Sequence, residues 1–313
     1  MKNSDCLNDE LKALYEKWNA EINADPYMSQ LTTVYEKWLY ELRSSHPYLL
    51  EDDRYSNPYY FYVPKEWKKS ENRIMIVGEE GYGNWGCGKR YGWTEAAPAW
   101  SSNSYNDIRL YHRDLILSQT KFKDIFLNSE DIDHLYNTEE YRDFATWFYA
   151  LYTRRKPFNT NFWQRIYSIY NIGRNTAIIW NNLDKIFALK EDNTKRCALT
   201  YTDRVNLHSV STKLLEEEIK ITQPTIVIFN GWYGTSIKEE LRKIYDKFYE
   251  PAPLKEWEEH RISTVTDVTD DGTIKYICAY HPAFRANALK NRFHNDKAEY
   301  EKFLIETIKN LLR

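Results

Sequence analysis

The chain has 313 residues, 42% of them hydrophobic, and a formal net charge of −3. That length buries a sizeable core in one large domain with an appendage. The near-neutral balance excludes a protein that attracts nucleic acid through its overall charge, so phosphate contacts must come from local patches.

No apolar run reaches the length of a membrane span, and the start MKNSDCLNDELKALYEKW lacks the apolar block of a signal peptide. The four cysteines, Cys6, Cys87, Cys197 and Cys278, are scattered without a C-x-x-C pair. They read as free thiols in a reducing cytoplasm rather than as a zinc or iron–sulfur site.

In chain order, LYEKWNAEI (14–22) and VYEKWLYEL (34–42) repeat a Tyr-Glu-Lys-Trp core with helical spacing of apolar positions. With the DPYM segment between them read as a turn, residues 1–60 form an N-terminal helical hairpin, an accessory segment. The stretch 51–67 is an irregular connection. From residue 70 to 313 the pattern is α/β. Four short apolar runs, RIMIVG (73–78), TAIIWNN (176–182), TIVIFNG (225–231) and KYICAYH (275–281), read as buried strands. Helical patterns lie around 138–151, 162–172, 209–221 and 236–249, with a last one near 295–312. The alternation predicts a three-layer α/β/α domain around a central, mainly parallel four-stranded sheet. RISTVTDVTDDGTIKYICAY adds a hairpin partner turning at Asp271-Gly272.

In an open parallel sheet, ligands bind outside the carboxyl ends of the strands. Those ends carry Glu79 and Glu80, Asn181 and Asn182, Asn230, and His281. The loop after the first strand holds six of the ten glycines, counting Gly78. Gly81–Gly86 fits G-x-G-x-x-G, but no helix starts on it and no acid-ended second strand follows. Gly83–Lys89 fits G-x-x-x-x-G-K, but Arg90 stands where Ser or Thr would hold magnesium. In both cases Glu79 and Glu80 would face a polyphosphate, and at roughly 4 Å with an effective dielectric near 20 each repulsion is on the order of 4 kcal/mol. A carboxylate pair at this rim suits chemistry that develops positive charge or needs an activated water; the bland reading is a set of tight turns with solvated glutamates.

AYHPAFRANALKNRFH (279–294) has no acids and carries Arg285, Lys290 and Arg292 beside Phe284 and Phe293. It fits backbone phosphates plus an inserted side chain, or a solvated basic turn. TRRKPFNTNFWQR (153–165) is a second acid-free stretch with the same potential.

VGEEGY after the first strand, IIWNN ending the second, IVIFNGW in the third and YHPAF after the last together resemble the uracil-DNA glycosylase superfamily, in its motif order and over roughly 70–312. The resemblance implies a DNA glycosylase without cofactor or metal, with DNA as partner. Gly78 then opens the water-activating loop, and Glu80 or Glu79 takes the catalytic carboxylate's place. Tyr82 shapes the pocket floor, Trp85 flanks the base, Asn181 reads its edge, and His281 stabilises it as it departs. Phe284 or Arg285 falls near the residue that wedges into the duplex. Gly81 and Ala283 replace a family Pro and Ser. The first change implies a wider pocket and a base larger than uracil, such as the bulky pyrimidines with which phages protect their DNA. Two other functions stay open: a non-catalytic modified-base binding module, and a hydrolase of free nucleosides or sugar nucleotides.

Overall fold

A computed structural model of the chain describes residues 26–51, 55, 61, 63, 66–80, 161–173, 175–186, 188–189, 196–197, 199–231, 246–269, 272–282, 293 and 296–313. Helix α1 spans Pro26–Ser45 and a single turn, α2, spans Tyr48–Glu51. Strand β1 is Asn72–Glu80, helix α3 Asn161–Tyr170 and strand β2 Thr176–Asp184. Short strands β3 (Ala188–Leu189) and β4 (Arg196–Cys197) pair with each other, and α4 follows over Tyr201–Thr222. The chain continues with β5 (Ile226–Asn230), α5 (Pro251–His260), β6 (Ile262–Thr269), β7 (Gly272–Ala279) and α6 (Lys297–Leu312).

The main sheet has five strands in the order β2-β1-β5-β7-β6. The four expected strands are all present and run parallel to one another. The expectation of a four-stranded sheet is corrected by β6, which is the hairpin partner anticipated before Gly272 and pairs antiparallel along all of β7. Val77 pairs with both Asn181 and Phe229, and Asn230 pairs with Ala279. Gly78, Asn182, Asn230 and Ala279 are therefore level along one rim, with β1 and β2 running two residues further.

Alternation divides the strand residues between two cores. Met75, Val77, Ala177, Ile179, Leu183, Val227, Phe229 and Cys278 pack with α1 and α4. Ile74, Ile76, Ile226, Ile228, Ile277 and Ala279 pack with α3 and α6. Helices thus cover both faces, which is why the central strands read as unbroken apolar runs.

Helix α1 buries Met28, Leu31, Tyr35, Trp38, Leu39 and Leu42, one stripe at three- and four-residue spacing. This is the second half of the expected hairpin; its first half, residues 14–22, lies outside the described residues. The stripe belongs to the same core as the sheet face above it. Pro26–Met28, read from sequence as a turn, opens the helix instead. Proline is tolerated at a first helical position because its missing N–H would have no partner there. The same rule explains α5, which the sequence reading did not foresee: Pro251 and Pro253 look like breakers but occupy its first turn.

Helix α4 begins eight residues before the pattern at 209–221, because Thr200 and Asp203 form a reciprocal capping box. The expected helices at 138–151 and over most of 236–249 lie outside the described residues. Among the described residues no helix is long and apolar enough to cross a membrane.

Candidate functional site

The chain passes from β1 to β2 on one side of β1 and later enters β5 on its other side. The gap between the carboxyl ends of β1 and β5 is a topological switch point, where open α/β sheets form their ligand crevice. β1 carries Gly78, Glu79 and Glu80 to this gap, and β5 carries Asn230. β1 stays paired to its last residue, Glu80 opposite Asp184. Of the side chains of Glu79 and Glu80 the structure describes nothing. His281 follows β7 at the same rim, half-buried, beside buried Pro282. Tyr82, Trp85, Phe284, Arg285, Lys290 and Arg292 lie outside the described residues.

Asn181 and Asn182 lie on opposite faces of β2, two residues before its end. The carboxamide of Asn181 is wholly engaged in the core. Its Nδ2 donates to Glu218 Oε2 at 2.8 Å, and its Oδ1 accepts from Lys185 Nζ and from the Asn182 amide. Lys185 also bridges Glu218 Oε1 at 2.8 Å, and Tyr35 Oη donates to that oxygen at 2.8 Å. Both charged side chains are fully buried. Burial pulls the Lys185 ammonium below the usual lysine range, with Glu218 opposing that pull. The Phe61 ring lies 5.7 Å from the ammonium. This is a closed structural network tying α1, β2 and α4 together.

Asn182 lies over Gly78, its partner in register. A Cβ at Gly78 would stand 2.7 Å from Asn182 Oδ1, so glycine is what lets the carboxamide settle there. The residue is 1% exposed, and neither Oδ1 nor Nδ2 has a hydrogen-bond partner among the described residues. Asn230, also 1% exposed, has an unpartnered Nδ2. Leaving a buried polar group unsatisfied costs roughly 1–3 kcal/mol, and three such atoms flank the switch point. Of the two asparagines of β2, Asn182 is the one with hydrogen-bonding capacity to offer a ligand.

Arg165 corrects a sequence expectation. The stretch 153–165 was read as a source of phosphate contacts, yet the Arg165 guanidinium is buried. It chelates Glu301 through Nε and Nη2 at 2.8 and 2.5 Å, and its Nη1 bonds to Asn230 Oδ1 at 2.8 Å and to the Tyr280 carbonyl at 2.6 Å. One cation joins α3, α6 and the ends of β5 and β7.

A further pair went unread. His208 Nε2 is hydrogen-bonded to Asp184 Oδ1 where β2 ends, both buried. His208 Nδ1, Ser211 Oγ and Thr212 Oγ1 line the same side of α4 without partners. Polar residues inside an apolar helical stripe were the available signal: Glu218 continues the row Leu207, Leu214 and Leu215. Among the described residues no group of three or more His, Cys, Asp or Glu is placed to hold a metal ion.

Against known proteins, no family model matches the chain and no curated protein does.

Proposed function

We propose that the chain is a DNA glycosylase that hydrolyses the N-glycosidic bond of a flipped-out pyrimidine. The observation that carries this reading is the pair of buried carboxamides, Asn182 and Asn230, with unpartnered atoms beside Gly78 at the switch point. A nucleobase edge is a row of donors and acceptors spaced for such groups. Both atoms of Asn182 are untied, so its carboxamide can turn to offer donor and acceptor in either order. It then suits a 4-oxo or a 4-amino pyrimidine edge equally, whether or not the ring is substituted elsewhere. Asn182 takes the edge-reading role that the resemblance assigns to Asn181. Both carboxamides are closed off from solvent, so a base reaches them only with local opening of the chain around them.

The reaction follows from the rim residues. Water bonds through its oxygen to C1′ as the C1′–N bond breaks, and the bonding pair leaves with the base. Glu80 or Glu79 stabilises the cationic sugar and takes a proton from the water. His281 donates a hydrogen bond to the departing anion, which is then protonated from solvent. Tyr82 and Trp85 flank the extruded ring. Arg285, Lys290 and Arg292 hold phosphates, and Phe284 or Arg285 fills the gap in the stack.

The test is incubation with a panel of DNAs, including uracil-containing DNA and heavily modified phage DNA, with mass spectrometry of released bases and a count of abasic sites. Base release by the parent should fall by orders of magnitude in Glu80→Ala or Glu79→Ala and in His281→Ala, with the melting temperature kept. Binding of modified DNA with no free base produced would instead identify a non-catalytic binding module. Equal release by the parent and all three variants would refute the assignment.

A further inference from the structure

Asn230 differs from Asn182 in being held by one end. An unrestrained carboxamide can rotate by half a turn and exchange its donor for its acceptor. That of Asn230 cannot, because a guanidinium offers only donors and Arg165 Nη1 therefore selects the oxygen, at 2.8 Å. Nδ2 is left as a committed donor, 1% exposed as a residue and unpartnered, at the end of the central strand. Arg165 cannot drift, since Glu301 grips it in a two-pronged pair and the Tyr280 carbonyl takes a further bond at 2.6 Å. Tyr280 immediately precedes His281, so the same cation also steadies the backbone from which that imidazole projects.

We infer that Asn230 is a second hydrogen-bond donor to the departing base, directed at a pyrimidine carbonyl oxygen, and that Arg165 is the positioning residue that holds it in the donor orientation. The inference rests on the glycosylase reading and deepens it by fixing which atom of Asn230 meets the base and what holds it there. A donor fixed in advance serves the bond-breaking step well, because charge accumulates on the base oxygens as the bond breaks and no reorientation is needed. The guanidinium behind the amide polarises it further in the same direction. The ligand class is constrained too: the base must carry a carbonyl at this position, as uracil-type and cytosine-type rings both do at C2.

Asn230→Asp keeps an oxygen for Arg165 and replaces the donor with an acceptor. Its single-turnover base release should fall by about a hundredfold, the usual cost of one oxyanion donor. Binding of DNA carrying the uncleavable 2′-fluoro analogue should change by less than about threefold, since the interaction matures in the transition state. Arg165→Lys should slow release by about tenfold in the parent and by clearly less in Asn230→Asp, because the two residues share the task of presenting the donor. Release by Asn230→Asp within threefold of the parent, or additive effects of the two changes, overturns the inference. If the parent releases no base from any DNA, the glycosylase reading fails separately. Free uracil titrated into the 15N-labelled parent then decides. Movement of the Asn230 side-chain amide resonance, assigned by through-bond connectivity, supports the donor role, and an unmoved resonance rejects it.

Discussion

On the face of the sheet covered by α1 and α4, Asn181 joins Tyr35, Lys185 and Glu218 in a network where each polar group has a partner. On the opposite face, one residue along, Asn182 is equally buried and its side chain has none among the described residues. Sequence, depth and chemistry are almost the same in the two cases. Only the partners differ. A buried polar group that is satisfied holds a fold together, whereas one left unsatisfied reduces stability unless something else completes it. The network around Asn181 is therefore architecture, and the untied carboxamide of Asn182 is where the proposed ligand would be bound.

The most disruptive way to probe the first face is Glu218→Leu. It strands a fully buried ammonium and should cost about 3–5 kcal/mol of unfolding free energy, read from urea denaturation. The double change Glu218→Leu with Lys185→Met should recover most of that loss. If the double variant is no better than the single one, the pair is not the source of the cost.

The two asparagines provide the sharpest contrast. Asn182→Leu should lower base release by about a hundredfold while leaving the urea midpoint unchanged or higher, because an unpartnered carboxamide is removed. Asn181→Leu should do the reverse, costing about 1–3 kcal/mol through the groups it leaves unpaired with activity falling only as the folded fraction falls. Similar effects from both changes would erase the distinction between the faces.

A smaller effect is expected from Gly78→Ala. The added methyl meets the far end of a movable side chain, Asn182 Oδ1. Stability should change by less than about 1 kcal/mol, while release slows as the carboxamide is displaced. Parental kinetics in this variant would show that the position of Asn182 is unimportant.

Alkaline titration gives the mildest test. Burial, aided by Asp267, pushes the Tyr276 hydroxyl from 10.0 up to about 12, and burial also raises Tyr300 and Tyr48. Groups raised in the folded state lend stability that is complete below the unfolded value and lost as pH climbs through the folded one. The urea midpoint should therefore decline from about pH 10 upward. Tyr300→Phe, which removes one such group, should decline less steeply. Lys185 has the opposite sign: its folded value is lowered, so its burial is penalised less as pH rises. Replacing it together with Glu218 should remove a gain in stability that the parent shows as pH rises toward the unfolded value of 10.5.

Much of the frame could be read from residue pattern. Four apolar runs located four strands, and Asp271-Gly272 marked the hairpin that supplies β6. Helix starts were harder. The segment holding Pro26 reads as a turn yet opens a helix, the helix that starts at Pro251 has no expectation in the sequence, and the cap at Thr200 lies eight residues ahead of the apolar pattern. These errors share a cause: a terminal position tolerates residues that the helix interior rejects. In the site, the rim residues were legible as polar letters ending apolar runs. Their individual duties were not, since Asn181 and Asn182 are the same letter twice.

The linear order of residues was enough to set the strands, their parallel sense and the set of polar groups at their carboxyl ends, because periodicity and turn chemistry are local. It could not say which of those groups meet a partner from a distant helix. That Glu218 reaches Asn181, and Arg165 reaches Asn230, depends on helices packing from opposite sides of the sheet. Hydrogen-bond satisfaction is a property of three-dimensional neighbours, so the separation of tied from untied asparagines appears only once the chain has folded.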